Sequence, residues 1–399
     1  MQFAIAFALF AVLRATPADP ALDALVATAI ESAPELAAAR AEVDAAKRRI
    51  EPARALADPM LSTTYQNDGR ALSLGSAEGS FVGLMLSQPL PWPGKRELAA
   101  REATSEAREI ETGALGRAAL SIEARVRNAW YDVALARALD RLIDERRETA
   151  RQIEETTRAR YAAGLAVQQD VLRAQVELAR IEEMKSAQRA TIAAREAELQ
   201  RLTGATTFAA TLPEIAPVPA DAIANVLQRS PELAAARQGM ATSRVRVDIA
   251  KKNFRPDFVV SGGSMYRGRF EMGPMWQIGA GVSLPLWSDK KQQNQLAEAE
   301  ARTRESSAQA DVVERDVALR TRERIAQLEA ANETAALYRD KVVPLDQLAV
   351  ESALASYRAG KVPFVSVLDA VNALYADRST YLGRLAEAAK WRVAIDEAR

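Results

Sequence analysis

YAAGLAVQQDVLRAQ (Tyr161–Gln175) and YRAGKVPFVSVLDAV (Tyr357–Val371) decide how this chain folds. In each, Tyr-x-Ala-Gly interrupts a long run of helical character, and a Val-Leu pair (Val171-Leu172, Val367-Leu368) opens the next run. A helix C-terminus favours glycine in the left-handed conformation, so Gly164 and Gly360 fit helix ends. The two interruptions stand at matching places in the two halves of the chain.

Other landmarks keep the same order. SAPELAAAR (Ser32–Arg40) returns as RSPELAAAR (Arg229–Arg237). A proline ends the helix that follows each, Pro59 in the first half and Pro256 in the second. SFVGLMLSQPL (Ser80–Leu90) is matched by WQIGAGVSLPL (Trp276–Leu286). Order and spacing together indicate a duplicated plan. It divides the chain into a leader at 1–18, a first repeat at 19–212, a Pro-rich linker at 213–220 and a second repeat at 221–399. Each repeat reads helix, strand, loop, strand, very long helix, interruption, helix.

Composition removes whole classes of chemistry. The 399 residues contain no His and no Cys, which excludes disulfides, imidazole or thiolate metal sites and His-dependent triads. Lys+Arg 53 balance Asp+Glu 53, so no basic surplus points to nucleic acid. No Gly-rich phosphate loop stands between a strand and a helix. No enzyme, cofactor or metal centre is expected. The apolar run Phe3–Leu13, followed by small residues to Ala18, has the core of a secretory leader, although the usual positive leading segment is missing.

The long helix of the first half is expected from about Lys95 to Ala163, roughly 100 Å at 1.5 Å per residue. Ile122, Val126, Ala129, Val133, Ala136 and Ile143 follow the spacing of a coiled-coil seam. Four strands are expected, at about 59–67, 80–88, 257–266 and 275–284. In the last, Trp276, Ile278, Ala280, Val282 and Leu284 alternate with small or polar residues, and Val82, Leu84 and Leu86 repeat that face in the first half. Each is about as long as a tilted membrane-crossing strand, and apolar-out, polar-in alternation is the outer-membrane barrel pattern. A soluble sheet with one buried face is the alternative. Tyr65, Trp92, Tyr266, Trp276 and Trp287 near the strand ends suit an interfacial girdle. Four strands cannot close a barrel, and an open edge in lipid leaves backbone groups unsatisfied. A membrane barrel would therefore be shared among two, three or four chains.

The repeated Pro-Glu-Leu-Ala-Ala-Ala-Arg start, the paired strands, QPLPWPGK (Gln88–Lys95) leading into a long helix and the two Tyr-x-Ala-Gly…Val-Leu stretches resemble the TolC-like outer-membrane efflux proteins. The resemblance implies a mainly α fold with a β-barrel part. Long antiparallel coiled-coil hairpins would form an α-barrel across the periplasm. Three chains would share a twelve-stranded outer-membrane barrel in a homotrimer. The implied function is a passive exit duct in the outer membrane, joined through a periplasmic adaptor protein to an inner-membrane pump, with a resistance-nodulation-division pump as the implied type. The interruptions become the periplasmic turns of the hairpins. Tyr357, Asp170 and Asp369 match gate or pore positions, and Tyr161, Gly164, Leu165, Gly360 and Lys361 match the tip where the adaptor docks. Some members carry a latching Arg two residues after the second Gly, where this chain has Val362. Some carry a lipid-bearing Cys, and this chain has none.

The alternatives are a duct for type I protein secretion, or a soluble coiled-coil scaffold. QPLPWPGK is reminiscent of the branch paired with heavy-metal cation pumps. Met265, Met272 and Met275 cluster at the second strand pair, and thioethers suit Cu(I); lipid-facing or loop packing is the plainer reading. Asp170 also reads as a complement to a helix N-terminus, and Asp369 as part of a capping box with Ser366. The hairpin loops Asp68–Gly79 and Arg267–Pro274 are expected outside the cell.

Overall fold

The computed structural model describes residues 19–67, 79–267 and 275–399. The leader at 1–18, most of both hairpin loops and Met272 lie outside the described residues. In chain order the elements are α1 (Pro20–Ser32), α2 (Pro34–Arg48), α3 (Ile50–Arg54), β1 (Met60–Gln66), β2 (Phe81–Leu90), α4 (Lys95–Ile110), α5 (Gly116–Ala162), α6 (Gln168–Thr203), α7 (Ala222–Arg229), α8 (Pro231–Lys252), β3 (Asp257–Tyr266), β4 (Met275–Ser283), α9 (Gln292–Leu337), α10 (Val343–Arg358) and α11 (Phe364–Glu397). The order is the one read from the repeats. The helical run expected from Lys95 differs in one respect. A π-helical turn at Glu111–Leu115 separates α4 from α5, and a second at Tyr338–Val342 separates α9 from α10.

The chain forms two compact units. One comprises Ala38–Leu115 and Pro231–Val313; the other comprises the chain up to Ala37, Gly116–Ser230 and Glu314–Arg399. Each draws segments from both halves of the sequence.

The first unit holds the sheet. Its strands run β1-β2-β3-β4, all neighbours antiparallel, so one hairpin from each half meets at the β2–β3 pair. The register sorts the side chains because alternate residues of a strand share a face. Leu61 faces Leu86, which faces Gly262, which faces Ile278. Val82, Leu84, Leu90, Phe258, Val260, Trp276, Ala280 and Val282 join that face. It is open to its surroundings in the single chain: Leu61, Leu84, Leu86, Trp276, Ile278 and Val282 are 50–77% exposed. The opposite face carries Ser62, Thr64, Gly83, Ser87, Ser261, Gly263, Gln277, Gly279, Gly281 and Ser283. Tyr65 and Tyr266 share one row near the loop end of the sheet through Val82. At the other end Trp92 stacks on Phe258, ring centroids 5.7 Å apart.

The QPLPWPGK segment fastens the two hairpins together. The Trp92 N–H donates to Asp257 Oδ1 at 2.7 Å, and Lys95 Nζ donates to both carboxylate oxygens of Asp257 at 2.9 Å. Beside the sheet, α4 and α8 pack along each other. Arg246 binds Glu102 at 2.6 Å and Glu106 at 2.5 Å, and Thr242 and Gln238 both reach Ser105.

The second unit is built on α5. The six expected seam residues Ile122, Val126, Ala129, Val133, Ala136 and Ile143 are all buried, none more than 9% exposed. Alanines at two of these six positions, Ala129 and Ala136, let helices approach closely. α5 packs on α6 and on α11, and α10 on α11. Charged pairs hold the helix sides in register: Lys185 with Asp140 and Asp144, Arg146 with Glu177, and Arg378 with Glu145. Arg127, almost wholly buried, is met by Glu123 at 2.9 Å and Asp23 at 2.6 Å. A buried guanidinium needs such partners, since removing one leaves a costly unpaired charge. Among the described residues no helix is long and apolar enough to cross a membrane, which says nothing of the sheet.

Candidate gate and docking turns

The two Tyr-x-Ala-Gly stretches build the same turn. Gly164 has φ +70° and Gly360 φ +73°. The Gly164 N–H donates to Tyr161 O at 2.9 Å and the Leu165 N–H to Arg160 O at 2.8 Å. In the second turn the Gly360 N–H donates to Tyr357 O at 2.9 Å and the Lys361 N–H to Ser356 O at 2.9 Å. Both are Schellman motifs, the paired closure that satisfies the last carbonyls of a helix and places a left-handed residue after it. The next helix then starts from an extended residue, Val167 or Pro363.

The turns bring some of the candidate residues together. The Tyr357 hydroxyl donates to Asp170 Oδ2 across a long 3.5 Å contact, which links the second hairpin to the first. Tyr357 is only 4% exposed. Its ring packs among Phe364, Val367, Leu142, Ile153 and Ala174, with the Phe364 ring 5.5 Å away. Tyr357 is thus a core residue with one polar end. Burial holds its hydroxyl pKa above the ordinary value, opposed by a hydrogen bond with Thr157, so the hydroxyl keeps its proton and donates.

The other candidates stand apart. Tyr161 and Leu165 are exposed on the first turn, and Lys361 is exposed on the second. Asp369 is exposed on α11. Asp369 forms no capping box with Ser366, contrary to the expectation from the sequence. α11 begins at Phe364 with Pro363 as its cap, and the Ser366 N–H donates to Pro363 O at 3.1 Å. Ser366 is already inside the helix, so Asp369 caps nothing. Asp170 does occupy the first turn of α6, where a carboxylate meets the positive end of the helix dipole. Val362 is half-buried against the apolar core, so no cation stands at that position.

Arg160, not singled out in the sequence, joins the two turns. Its guanidinium lies 4.8 Å from the centroid of the Tyr357 ring. It donates to Leu165 O in its own turn at 3.0 Å and to Arg358 O in the other. One planar fork thereby serves two main-chain acceptors and an aromatic face, an arrangement suited to arginine rather than lysine. Among the described residues no group of three or more Asp or Glu side chains is placed to hold a metal ion.

Long helical hairpins, paired end turns and a four-stranded sheet with one apolar face open to its surroundings define a chain that contributes part of an outer-membrane channel. The comparison with protein families agrees: the chain belongs to the outer membrane efflux protein family, whose model matches twice, over residues 25–205 and 222–398. It is an outer-membrane channel protein rather than an enzyme. The cobalt-zinc-cadmium resistance protein CzcC of Cupriavidus metallidurans is 27% identical over 384 residues, covering 94% of this chain and 88% of that protein. The outer membrane protein VceC of Vibrio cholerae has the same fold, with a TM-score of 0.74 at 22% identity over 94% of this chain and 95% of that one. So does the MtrE outer membrane channel of Neisseria gonorrhoeae, solved in its open state, with a TM-score of 0.73 at 18% identity over 96% of this chain and 90% of that one.

Proposed function

We propose that this chain forms a homotrimeric exit duct for metal cations, fed by an inner-membrane pump of the resistance-nodulation-division type through a periplasmic adaptor protein. The observation that carries the trimer is the sheet. Its four strands expose an apolar face yet leave β1 and β4 each with a single partner among the described residues. In lipid those edges must be paired, and three chains give a twelve-stranded closure in the known size range. Metal cations as cargo are supported by the likeness to CzcC, a cobalt-zinc-cadmium resistance protein, and by the QPLPWPGK segment. The double match of the family model supports reading the chain as two repeats on either side of the linker at 213–220.

The paired turns serve as the periplasmic tip. Tyr161, Gly164, Leu165, Gly360 and Lys361 present the adaptor-docking surface, and Tyr357 with Asp170 holds the hairpins closed. Asp369 lines the pore. A protein-secretion duct would use the same scaffold; the metal-resistance relative favours cations. Crosslinking in native outer membranes tests the assembly. A trimer band from cysteines introduced in pairs on β1 and β4 is expected, and monomer alone, or recovery of the protein in the cytosol, rejects it. Loss of zinc, cobalt or cadmium tolerance on deletion, restored by the intact chain, tests the cargo.

A further inference from the structure

The chain has eight methionines, and with no His and no Cys their thioethers are its soft donors. Four of them, Met60, Met85, Met265 and Met275, lie in the sheet. Strand parity puts all four on one face, the one that carries most of the sheet's Ser, Thr and Gly, with Phe81 and Val259 also on it. Met265 faces Gly83 and Met275; Met85 faces Gly263; Met60 faces Ser87. The apolar face, where a methionine used as hydrophobic filler belongs, has none. This removes the lipid-facing explanation of Met265 and Met275.

Three of the four are neighbours. Met265 and Met275 are directly opposed across β3 and β4. Met85 is opposite Gly263, two residues from Met265 on the same face, a diagonal that long side chains span. Gly83 stands opposite Met265, where a Cβ would meet Met265 Cγ and the Phe81 ring, each at 3.6 Å. Met275 is 43% exposed, so its thioether is reachable from the open side of the face. The exposed part of Met275 forgoes the gain from burial. Soft ligation compensates for that, because thioethers select soft ions and methionine's three rotatable bonds let opposed sulfurs converge.

We propose that Met85, Met265 and Met275 form a binding site for a soft monovalent cation, Cu(I) or its redox-stable analogue Ag(I), on the lumen face of the barrel. The site rests on the duct reading above, which turns this face inward, and adds to that duct's wall a place for thiophilic ions. No bond is made or broken in it except metal–sulfur coordination. It differs from a carboxylate site in disfavouring Zn²⁺ and Co²⁺, which need imidazole, thiolate or carboxylate donors, none of which is paired with these three methionines in the register.

The test uses the full chain purified in detergent with an affinity tag free of His, Cys and Met. Ag(I) binding is measured by equilibrium dialysis against the wild type, the double variant Met265→Leu/Met275→Leu and a control, Met184→Leu/Met240→Leu, outside the sheet. Leucine conserves volume, so folding should be kept. Saturable Ag(I) binding that weakens on the order of tenfold or more in the sheet variant only, with no Zn²⁺ retained, is the expected result. Equal Ag(I) binding by the sheet variant and the wild type overturns the site, as does Zn²⁺ retained as firmly as Ag(I). The same preparations are placed in planar bilayers. Conductance in wild type and variant without any difference in Ag(I) binding sinks the site and leaves the duct standing; absence of wild-type conductance sinks the duct itself.

Discussion

The guanidinium of Arg160, at the end of one hairpin helix, lies over the ring of Tyr357 at the end of another, 4.8 Å from its centroid. The same group donates to the carbonyl of Arg358 beside that ring. The two residues are nearly two hundred positions apart, yet their contact ties the two turns to each other. Arg160→Ala should therefore favour the parted arrangement of the tips. Hydrogen bonds to charged groups contribute about 1.5–3 kcal/mol when sheltered and less at this solvated site. A loss of about 1.4 kcal/mol shifts the closed-to-open ratio roughly tenfold. Single-channel recordings of the variant should show a higher resting conductance with trimer yield unchanged. Arg160→Lys should be intermediate, since an ammonium keeps the charge over the ring but cannot serve two carbonyls as a fork. Wild-type conductance in Arg160→Ala would remove the clamp assignment.

The glycines of the two turns separate backbone strain from surface shape. Nothing lies within 4 Å of a Cβ at Gly164, whereas at Gly360 it would approach the Arg160 guanidinium at 3.9 Å. Gly164→Ala should thus incur only the left-handed penalty, about 1–2 kcal/mol, visible as a lower melting temperature with export preserved. Gly360→Trp adds bulk beside the clamp, and export should fall while trimer levels stay near normal. Unchanged export in a verified Gly360→Trp strain would move adaptor docking elsewhere.

Asp170 and Asp369 now make different predictions. Asp170 sits in the first turn of α6 and accepts from Tyr357, so Asp170→Asn should lower stability by about 0.5–1 kcal/mol and loosen the tip. Asp369 is exposed on α11 and caps no helix. If it faces the lumen of the proposed trimer, Asp369→Asn should weaken cation preference, as rings of carboxylates favour cations, with stability unaffected. Reversal-potential measurements across a salt gradient decide this; unaltered selectivity in Asp369→Asn would take it out of the pore.

Asp346 on α10 and Asp377 on α11 place two carboxyls against each other. Burial, and then the Asp377 carboxyl beside it, raise the Asp346 pKa. A folded-state pKa raised above the unfolded one contributes stability that is complete below the ordinary carboxylate range, about pH 4, and is lost as pH rises through the folded value. At pH 7 the pair should therefore weaken the contact of α10 with α11. Asp346→Asn should raise the melting temperature there, by less than about 1 kcal/mol because the site is partly solvated, and the gain should vanish in acid. A gain that persists undiminished at pH 3.5 would show that the like-charge pair is not its origin.

The turns were legible from the sequence because glycine in a left-handed position leaves a local signature, and duplication printed it twice. The strands were legible through their alternation, with bounds correct to within one or two residues. Arg160 was not, because its partners are main-chain carbonyls and a ring reached only after the second half folds back, and RARYAAG offers two arginines of equal claim, Arg158 and Arg160. Nor was the burial of Tyr357: an aromatic just before a turn reads the same whether its ring points into a core or away from it. The capping role given to Ser366 failed because Pro363, with its fixed φ and missing N–H, starts the helix three residues earlier. The π-helical turns at Glu111–Leu115 and Tyr338–Val342 left no mark that periodicity could register, since one extra residue per turn is absorbed within a long Ala-rich pattern.

Among the described residues β1 and β4 end the sheet, each with one edge that no further strand pairs. This has a genetic consequence. A chain absent from the cell merely lowers the number of complete barrels, but a chain that is made and cannot join at its edges spoils every barrel it enters. With the three places of the proposed trimer filled at random, equal amounts of sound and edge-damaged chains would leave about one eighth of the barrels wholly sound. Alleles damaged in β1 or β4 should therefore be dominant over the wild type, while deletions should be recessive to it.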